Sequence, residues 1–232
     1  MSLILNIDTA TELASICLSK GDEPVMTLTN NDQKDHAGWI QQAIQQLFKE
    51  TGYAMEQLQA VAVTEGPGSY TGLRVGLATA KGLCYALNIP LITENTLLVM
   101  AYAAREKWIS SAENSTTQSI LLCPMIDARR MEVFSALYNF DLKIVMTPNV
   151  LILDEFSFKE ELNNSIILFF GSGAGKWKHV SNYSNAYFNI EITFLASFLC
   201  KLAAARLSKQ QFTDLAYAEP VYLKEFYTYI KK

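Results

Sequence analysis

The sequence predicts an α/β protein in which one β-β-β-α-β-α unit occurs twice. Three observations predict it. Short apolar runs of strand length alternate with longer segments whose apolar residues recur at helical spacing. Ile7-Asp8 recurs as Ile126-Asp127 and Leu18 as Leu137 at an offset of 119, and Val25-Met26-Thr27 recurs as Val145-Met146-Thr147 at an offset of 120. A polar run rich in Ser, Thr and Asn, Ser110 to Ser119, separates the two copies. Several matches in register are the mark of an internal duplication. The expected division is an N-terminal domain over 1–109 and a C-terminal one over 110–232. A cleft is expected between them, with Asp8 and Asp127 facing it from the strand ends.

The elements follow in order. Leu3 to Ile7, Leu13 to Leu18 and Val25 to Thr29 read as strands, with Gly21-Asp22 punctuating the hairpin. His36 to Lys49 reads as a helix, because Ile40, Ala43, Ile44, Leu47 and Phe48 share one face, and Gly52 ends it. Val61 to Thr64 is a buried strand. Gly66-Pro67-Gly68 then forces a tight turn, since Pro fixes φ and Gly permits φ > 0. Ser69 or Thr71 caps the helix that follows, Thr71 to Leu87. Pro90 to Thr93 is a short strand, and a helix runs from Thr96 to Lys107, capped by Asn95 or Thr96. In the second half, Ser165 to Phe170 is a strand, Gly171 to Gly175 a loop and Ile192 to Leu207 a helix. Pro220 to Lys224 reads as an extended segment pinned to the body.

The helix from Thr71 to Leu87 is apolar on nearly every side. On a wheel of about 100° per residue, Gly72, Gly76, Ala80, Leu83 and Leu87 make one face. Val75, Ala78, Gly82 and Ala86 continue round the far side, and Arg74, Lys81 and Tyr85 make a narrow polar strip. A helix on a sheet surface needs one apolar stripe, and one apolar all round is covered all round. Gly inside a helix costs roughly 0.5–1 kcal/mol against Ala, so Gly72 and Gly76 imply that another backbone comes close. Packing on the protein's own sheet accounts for one face. The opposite face points to a second protein surface.

The 232 residues are half hydrophobic, enough for a substantial core, and carry a formal net charge of −4. That argues against strong binding to nucleic acid by this chain alone, which depends on cationic surface, and says nothing against binding through a partner. Cys17, Cys84, Cys123 and Cys200 are far apart, with no CxxC pair, so they read as buried thiols of a reducing compartment. The N-terminus lacks a basic start and meets Asp8 early, unlike a signal peptide. No apolar run approaches the ~20 residues of a membrane span. The expected location is the cytoplasm, with no membrane partner.

Catalytic motifs are sparse. The two histidines, His36 and His179, stand in different halves without HxxxH or HExxH spacing, so no metal centre and no catalytic residue is expected. GPGSYTG is neither a GxSxG elbow nor a Walker loop, and Ser69 reads as a cap. GSGAGK at Gly171 to Lys176 departs from the Walker pattern at Phe170 and Trp177, yet a Gly-rich turn before a helix can still approach a nucleotide. Asp8 with Thr9 and Thr11 fits either a phosphate and Mg²⁺ neighbourhood or an Asx-type turn. Asp127-Ala128-Arg129-Arg130 fits either a charge cluster of the cleft or a solvated turn.

GPGSYTGLRVG at Gly66 to Gly76 resembles the signature of the bacterial TsaB (YeaZ) family. So do LNIDTAT at Leu5 to Thr11, DARRMEVFSALY at Asp127 to Tyr138 and PVYLK at Pro220 to Lys224. The matches keep the family's order and span nearly the whole chain. The resemblance implies an actin-like (ribonuclease H-like) fold of two duplicated domains. It implies a role in making threonylcarbamoyladenosine (t6A) in tRNA, as a non-catalytic partner subunit. The TsaD-type paralogue transfers the threonylcarbamoyl group, and a TsaE-type ATPase joins the larger complex. Self-association is implied for the isolated protein, and contact with tRNA only through the complex. No tightly bound cofactor is expected, although ATP or ADP at the cleft or in the complex fits the fold. The implied partner surface is helical and lies in the first half, at His36, Ile40, Ile44 and Leu47 on one helix and Thr71, Gly72, Arg74, Val75, Gly76, Thr79, Ala80 and Leu83 on the next. Asp8, Thr9 and Thr11 match the phosphate loop of nucleotide-binding relatives in degenerate form. On this reading Gly76→Arg breaks the partner contact. The competing readings are an actin-fold ATPase, kinase or glycoprotease acting on its own, and a direct tRNA-binding module, which the acidic composition disfavours.

Overall fold

A computed structural model describes residues 1–32, 36–110, 120–189 and 192–224. Strand β1 (Leu3–Asp8) is buried along its whole length, as suits a mostly apolar strand covered on both faces, and its interior polar residue Asn6 donates through Nδ2 to the Cys17 carbonyl at 3.2 Å and to Ser19 Oγ at 3.0 Å. Strands β2 (Ala14–Lys20) and β3 (Glu23–Asn30) follow as an antiparallel meander on one side of it. On its other side lie β4 (Ala60–Gly66) and then β5 (Leu91–Asn95), both parallel. Parallel neighbours need a crossover, and helices supply it. Helix α1 (His36–Thr51) precedes β4, α2 (Tyr70–Leu87) precedes β5, and α3 (Thr96–Ser110) leaves the sheet.

The second half repeats this plan. Strands β6 (Ile120–Asp127), β7 (Glu132–Tyr138) and β8 (Ile144–Ile152) form the meander. Helix α4 (Lys159–Asn164), strand β9 (Ile166–Phe170), helix α5 (Ala174–Lys178) and strand β10 (Ala186–Asn189) follow, then helix α6 (Leu199–Ser208). The two sheets run β3-β2-β1-β4-β5 and β10-β9-β6-β7-β8, which is one order read from opposite ends. The repeated dipeptides hold equivalent places, since Asp8 ends β1 and Asp127 ends β6.

Side chains alternate across each strand, and the alternation divides the core into three layers. Leu3, Leu5 and Ile7 face α1 and α2 on the outer side of the first sheet. Ile4, Ala62 and Ile92 face inward, into a core shared with Leu122, Tyr138 and Leu168 of the second sheet and with α3 and α6. Phe158, Phe169 and Trp177 fill the outer side of the second sheet, with Trp177 fully buried. Helix α1 buries Ile40, Ala43, Ile44, Leu47 and Phe48, of which the four larger side chains are each worth about 1.5–3 kcal/mol when fully removed from water. The chain crosses over on itself: α3 packs on β6, whereas α6, from the second half, packs on β1 and β5. Arg206 of α6 pairs with Glu94 of β5 through two bonds of 2.6 and 2.9 Å.

Two expectations differ from the structure. The helix expected over Ile192 to Leu207 begins later, as a 3-10 turn at Ala196–Phe198 that runs into α6. Ile192 and Phe194 are buried in non-helical chain, and the Ala196 N–H donates to Ser15 Oγ at 2.8 Å, so tertiary contacts replace the first helical turns. The Gly-rich loop at 171–175 is shorter than expected, because α5 starts at Ala174. The expected boundary at 109/110 falls at the end of α3, and the polar run from Ser111 to Ser119 and the tail from Glu225 lie outside the described residues.

Candidate functional site

The β1–β2 loop and the turn before α2 meet at the end of the first sheet. Ser69 caps α2, accepting from the Gly72 N–H at 3.3 Å. The Ser69 N–H donates to the Ala10 carbonyl at 2.7 Å, and Thr9 Oγ1 donates to the Gly72 carbonyl at 2.6 Å. A Cβ at Gly68 would run into the Ala10 carbonyl, one at Gly72 into the Thr9 carbonyl and one at Gly76 into Thr9 Oγ1. These three glycines therefore let α2 lie directly on the loop. The backbone that Gly72 and Gly76 were expected to admit belongs to this chain.

This contact also encloses the loop. Asp8 and Thr9 are fully buried, while Thr11 is partly exposed. Asp8 Oδ1 accepts from Thr64 Oγ1 at 2.6 Å and from the Ala10 N–H at 3.3 Å, and Oδ2 is buried without a partner. Burial pushes the Asp8 carboxyl up to about 6, against the smaller opposing pull of the Thr64 and Ala10 hydrogen bonds. The geometry is that of a turn closed by its own helix, not of an open phosphate loop. Asp8 and Asp127 do not face a cleft together, because Asp8 is fully buried within the chain and only Asp127 is exposed. Among the described residues, no group of three or more His, Cys, Asp and Glu is placed to hold a metal ion. No described helix is long and apolar enough to cross a membrane.

The twelve residues expected at a partner surface divide by burial. Ile40, Ile44, Leu47, Gly72, Gly76 and Ala80 are buried in this chain, and so is His36, whose Nε2 lies 3.4 Å from the Thr11 carbonyl oxygen. Burial counts against these seven as contacts in this structure, since residues so enclosed have little to offer a second molecule. Thr71, Arg74, Val75, Thr79 and Leu83 do reach the surface. With them come Gln41, Ala78 and Gly82, which the sequence reading left out of the site. Gln41 of α1 and Ala78, Thr79, Gly82 and Leu83 of α2 line an open groove between the helices, and Gln41 Nε2 donates to Thr79 Oγ1 at 3.3 Å. A Cβ at Gly82 would meet no atom within 4 Å. The helix wheel already placed Ala78, Gly82 and Ala86 four residues apart on the far side. What it could not show is that Gly82, unlike Gly72 and Gly76, has no intramolecular reason to be glycine.

A strap from the C-terminal segment runs along the same helix. Lys81 Nζ donates to the carbonyls of Ala216 at 3.2 Å and Ala218 at 2.9 Å. The Val221 N–H donates to the Glu65 carbonyl at 2.7 Å. Arg74 stacks over the Tyr70 ring, 3.9 Å from its centroid, and its Nε donates to Tyr222 Oη at 2.9 Å. Lys224 then pairs with Glu132 at the start of β7. The strap thus ties α2 to the β6–β7 hairpin. There Arg129 and Arg130 both have positive φ, 71° and 50°, a conformation costing an ordinary residue about 1–2 kcal/mol. Asp127 holds the turn, since its Oδ1 accepts from the Arg129 N–H at 2.6 Å and from Lys176 Nζ at 2.5 Å. Gly171 and Gly173 pack against Met125 and Val133, and the Ser172 hydroxyl accepts from the Asp127 N–H at 3.1 Å. Gly171, Ser172, Gly173 and Lys176 of GSGAGK thus serve packing and this turn.

The family model described as TsaD, tRNA N6-adenosine threonylcarbamoyltransferase, matches residues 28–157, more than half of the chain. The tRNA threonylcarbamoyladenosine biosynthesis protein TsaB of Escherichia coli (strain K12) is 28% identical over 232 residues, covering 95% of this chain and 94% of that protein. The protein of the same name from Bacillus subtilis (strain 168) is 29% identical over 168 residues, 71% of this chain and 69% of its own. Two solved structures of Pseudomonas aeruginosa proteins, one described as YeaZ and one as similar to peptidase YEAZ, superpose with TM-scores of 0.77 and 0.81. Each is 23% identical and is covered in full, while 96% and 97% of this chain is matched. At that identity they speak to the fold, which is actin-like.

Proposed function

The chain belongs to the tRNA N6-adenosine threonylcarbamoyltransferase family as a TsaB (YeaZ) member, and we propose from this premise that it is a non-catalytic docking subunit in t6A synthesis. Its partner is a TsaD-type paralogue, which carries the transferase chemistry, and a TsaE-type ATPase joins the pair. The observation that carries the reading is the α1–α2 groove with Gly82 at its floor. Gly82 lies mid-helix, where Ala would be favoured by roughly 1 kcal/mol, and among the described residues no atom lies within 4 Å of where its Cβ would stand. Ala78 and Gly82, small and one turn apart, let the backbone of a partner helix approach closely. Val75, Thr79 and Leu83 flank them with apolar and hydroxyl contacts. Once the partner is seated, the groove is dry and close-packed, so extra volume or charge there is costly. The same face serves self-association when the partner is absent, which makes the two assemblies mutually exclusive.

The test is Gly82→Arg, not Gly76→Arg, because Gly76 packs on Thr9 and its replacement would damage the fold itself. A Gly82→Arg side chain projects into open space, so thermal stability is expected to stay the same or rise. Association with a TsaD-type partner, measured by sedimentation velocity of the mixture, is expected to weaken by several kcal/mol. Unchanged association with an intact fold would refute the docking face.

A further inference from the structure

We propose that the β6–β7 hairpin, through Arg129 and Arg130, is a contact for the phosphodiester backbone of RNA, used when the assembled complex holds its tRNA. The proposal rests on the docking reading above, since it places the chain in a tRNA-modifying assembly.

The first ground is conformational. Arg129 and Arg130 are consecutive, both at positive φ, in a loop closed by the Ala128 N–H donating to the Glu132 carbonyl and the Glu132 N–H donating to the Arg129 carbonyl, each at 3.0 Å. Asn and Gly adopt that conformation with far less strain. Strain retained at an exposed turn points to side-chain function. The surroundings hold the turn in this shape: Asp127 caps it, Lys176 and Ser172 hold Asp127, and Lys224 holds Glu132.

The second ground is charge. Lys176 and Lys224 are matched by the carboxylates of Asp127 and Glu132. Arg129 and Arg130 are exposed, and neither guanidinium makes an ion pair or hydrogen bond with a described residue. Two unmatched cations are thus presented side by side on a fixed support, in a chain whose net charge is −4. Guanidinium groups bind phosphate oxygens in bidentate fashion. Contacts of this kind position a nucleic acid without reading its sequence, which is what an accessory subunit needs when the reacting adenosine sits in its partner. No hairpin residue lines the α1–α2 groove, so docking there leaves the arginines available. Two such contacts are too few to bind RNA alone, in keeping with the acidic composition.

The experiment uses the full chain mixed with a TsaD-type partner. Partner association is read by sedimentation velocity, and tRNA affinity by fluorescence anisotropy of labelled unmodified tRNA from 50 to 200 mM salt. Arg129→Asn with Arg130→Gly removes both cations while suiting the turn, and Arg129→Lys with Arg130→Lys keeps them. For the first variant, association is expected to be unchanged, and the slope of log affinity against log salt to shrink by about 1.5, near 0.7–0.9 per phosphate contact. Taking the electrostatic contribution to vanish near 1 M salt, affinity at 0.15 M falls about 20-fold. The lysine pair retains the slope. Normal assembly with unchanged affinity and slope overturns the proposal and leaves the docking reading standing. Weakened association with the partner protein, with tRNA binding intact in the complex that remains, also overturns it. A wild-type chain that fails to assemble with the partner refutes the docking reading, and this proposal with it.

Discussion

Asp8→Asn should stabilise the protein at neutral pH and lose that advantage in acid. The native carboxyl is fully buried, is hydrogen-bonded through Oδ1 only, and is raised from 3.8 to about 6. The sign follows from which state holds the proton more tightly. The native state does, so stability falls as pH rises from the unfolded value near 3.8 and levels off above 6. A shift of about two pH units corresponds to roughly 3 kcal/mol at 1.36 kcal/mol per unit. Asparagine keeps the acceptor for Thr64 and Ala10 and carries no charge. Its Nδ2 group, like the hydroxyl of the protonated acid, is a buried donor without a partner, so this cost is common to both. The stability difference between variant and wild type should therefore move by about 2.4 kcal/mol in favour of the variant between pH 4 and pH 7. Urea unfolding at each pH measures it, and the difference cancels every other titration. Parallel stability curves would refute the reasoning. A second arm adds Mg²⁺: a carboxylate that ligates the cation would make wild type alone more stable with rising metal concentration. The closed loop around Asp8 leads us to expect no such difference.

Two further outcomes follow from the geometry. Gly72→Ala and Gly82→Ala should have opposite signs: the first pushes a methyl group into the Thr9 carbonyl and costs about 3 kcal/mol, while the second meets nothing and gains up to ~1 kcal/mol, both readable by urea unfolding. Arg206→Ala leaves Glu94, a nearly buried carboxylate, without its bidentate partner. It should cost about 2–3 kcal/mol by the same measurement, with partial recovery in Arg206→Lys.

Much of the fold was legible because strand and helix periods are local properties. The apolar runs ending at Asp8 and Asp127, the cap at Ser69 and the apolar face of α1 all appear where spacing and turn chemistry put them. The start of α6 was not legible, because Ile192 and Phe194 carry an apolar pattern that fits a helix yet are held in non-helical chain by the shared core. The candidate site was half legible. The wheel placed a second protein surface on the far side of α2, where Gly82 lies, whereas the residues implied by the resemblance also included Gly72 and Gly76. The three glycines are equivalent by composition and propensity, and the contact of Gly72 and Gly76 with Thr9 shows which of them this chain itself occupies.

By itself, the sequence determined the duplicated α/β plan, the family and the helix on which the docking reading depends. These rest on periodicity, repeat register and motif, which are encoded along one dimension. The tertiary structure decided which face of α2 is already occupied, that Asp8 is sealed rather than open, and that Arg129 and Arg130 stand unmatched on a strained turn. Those are distances between residues remote in the chain, and spacing along a sequence carries no measure of them.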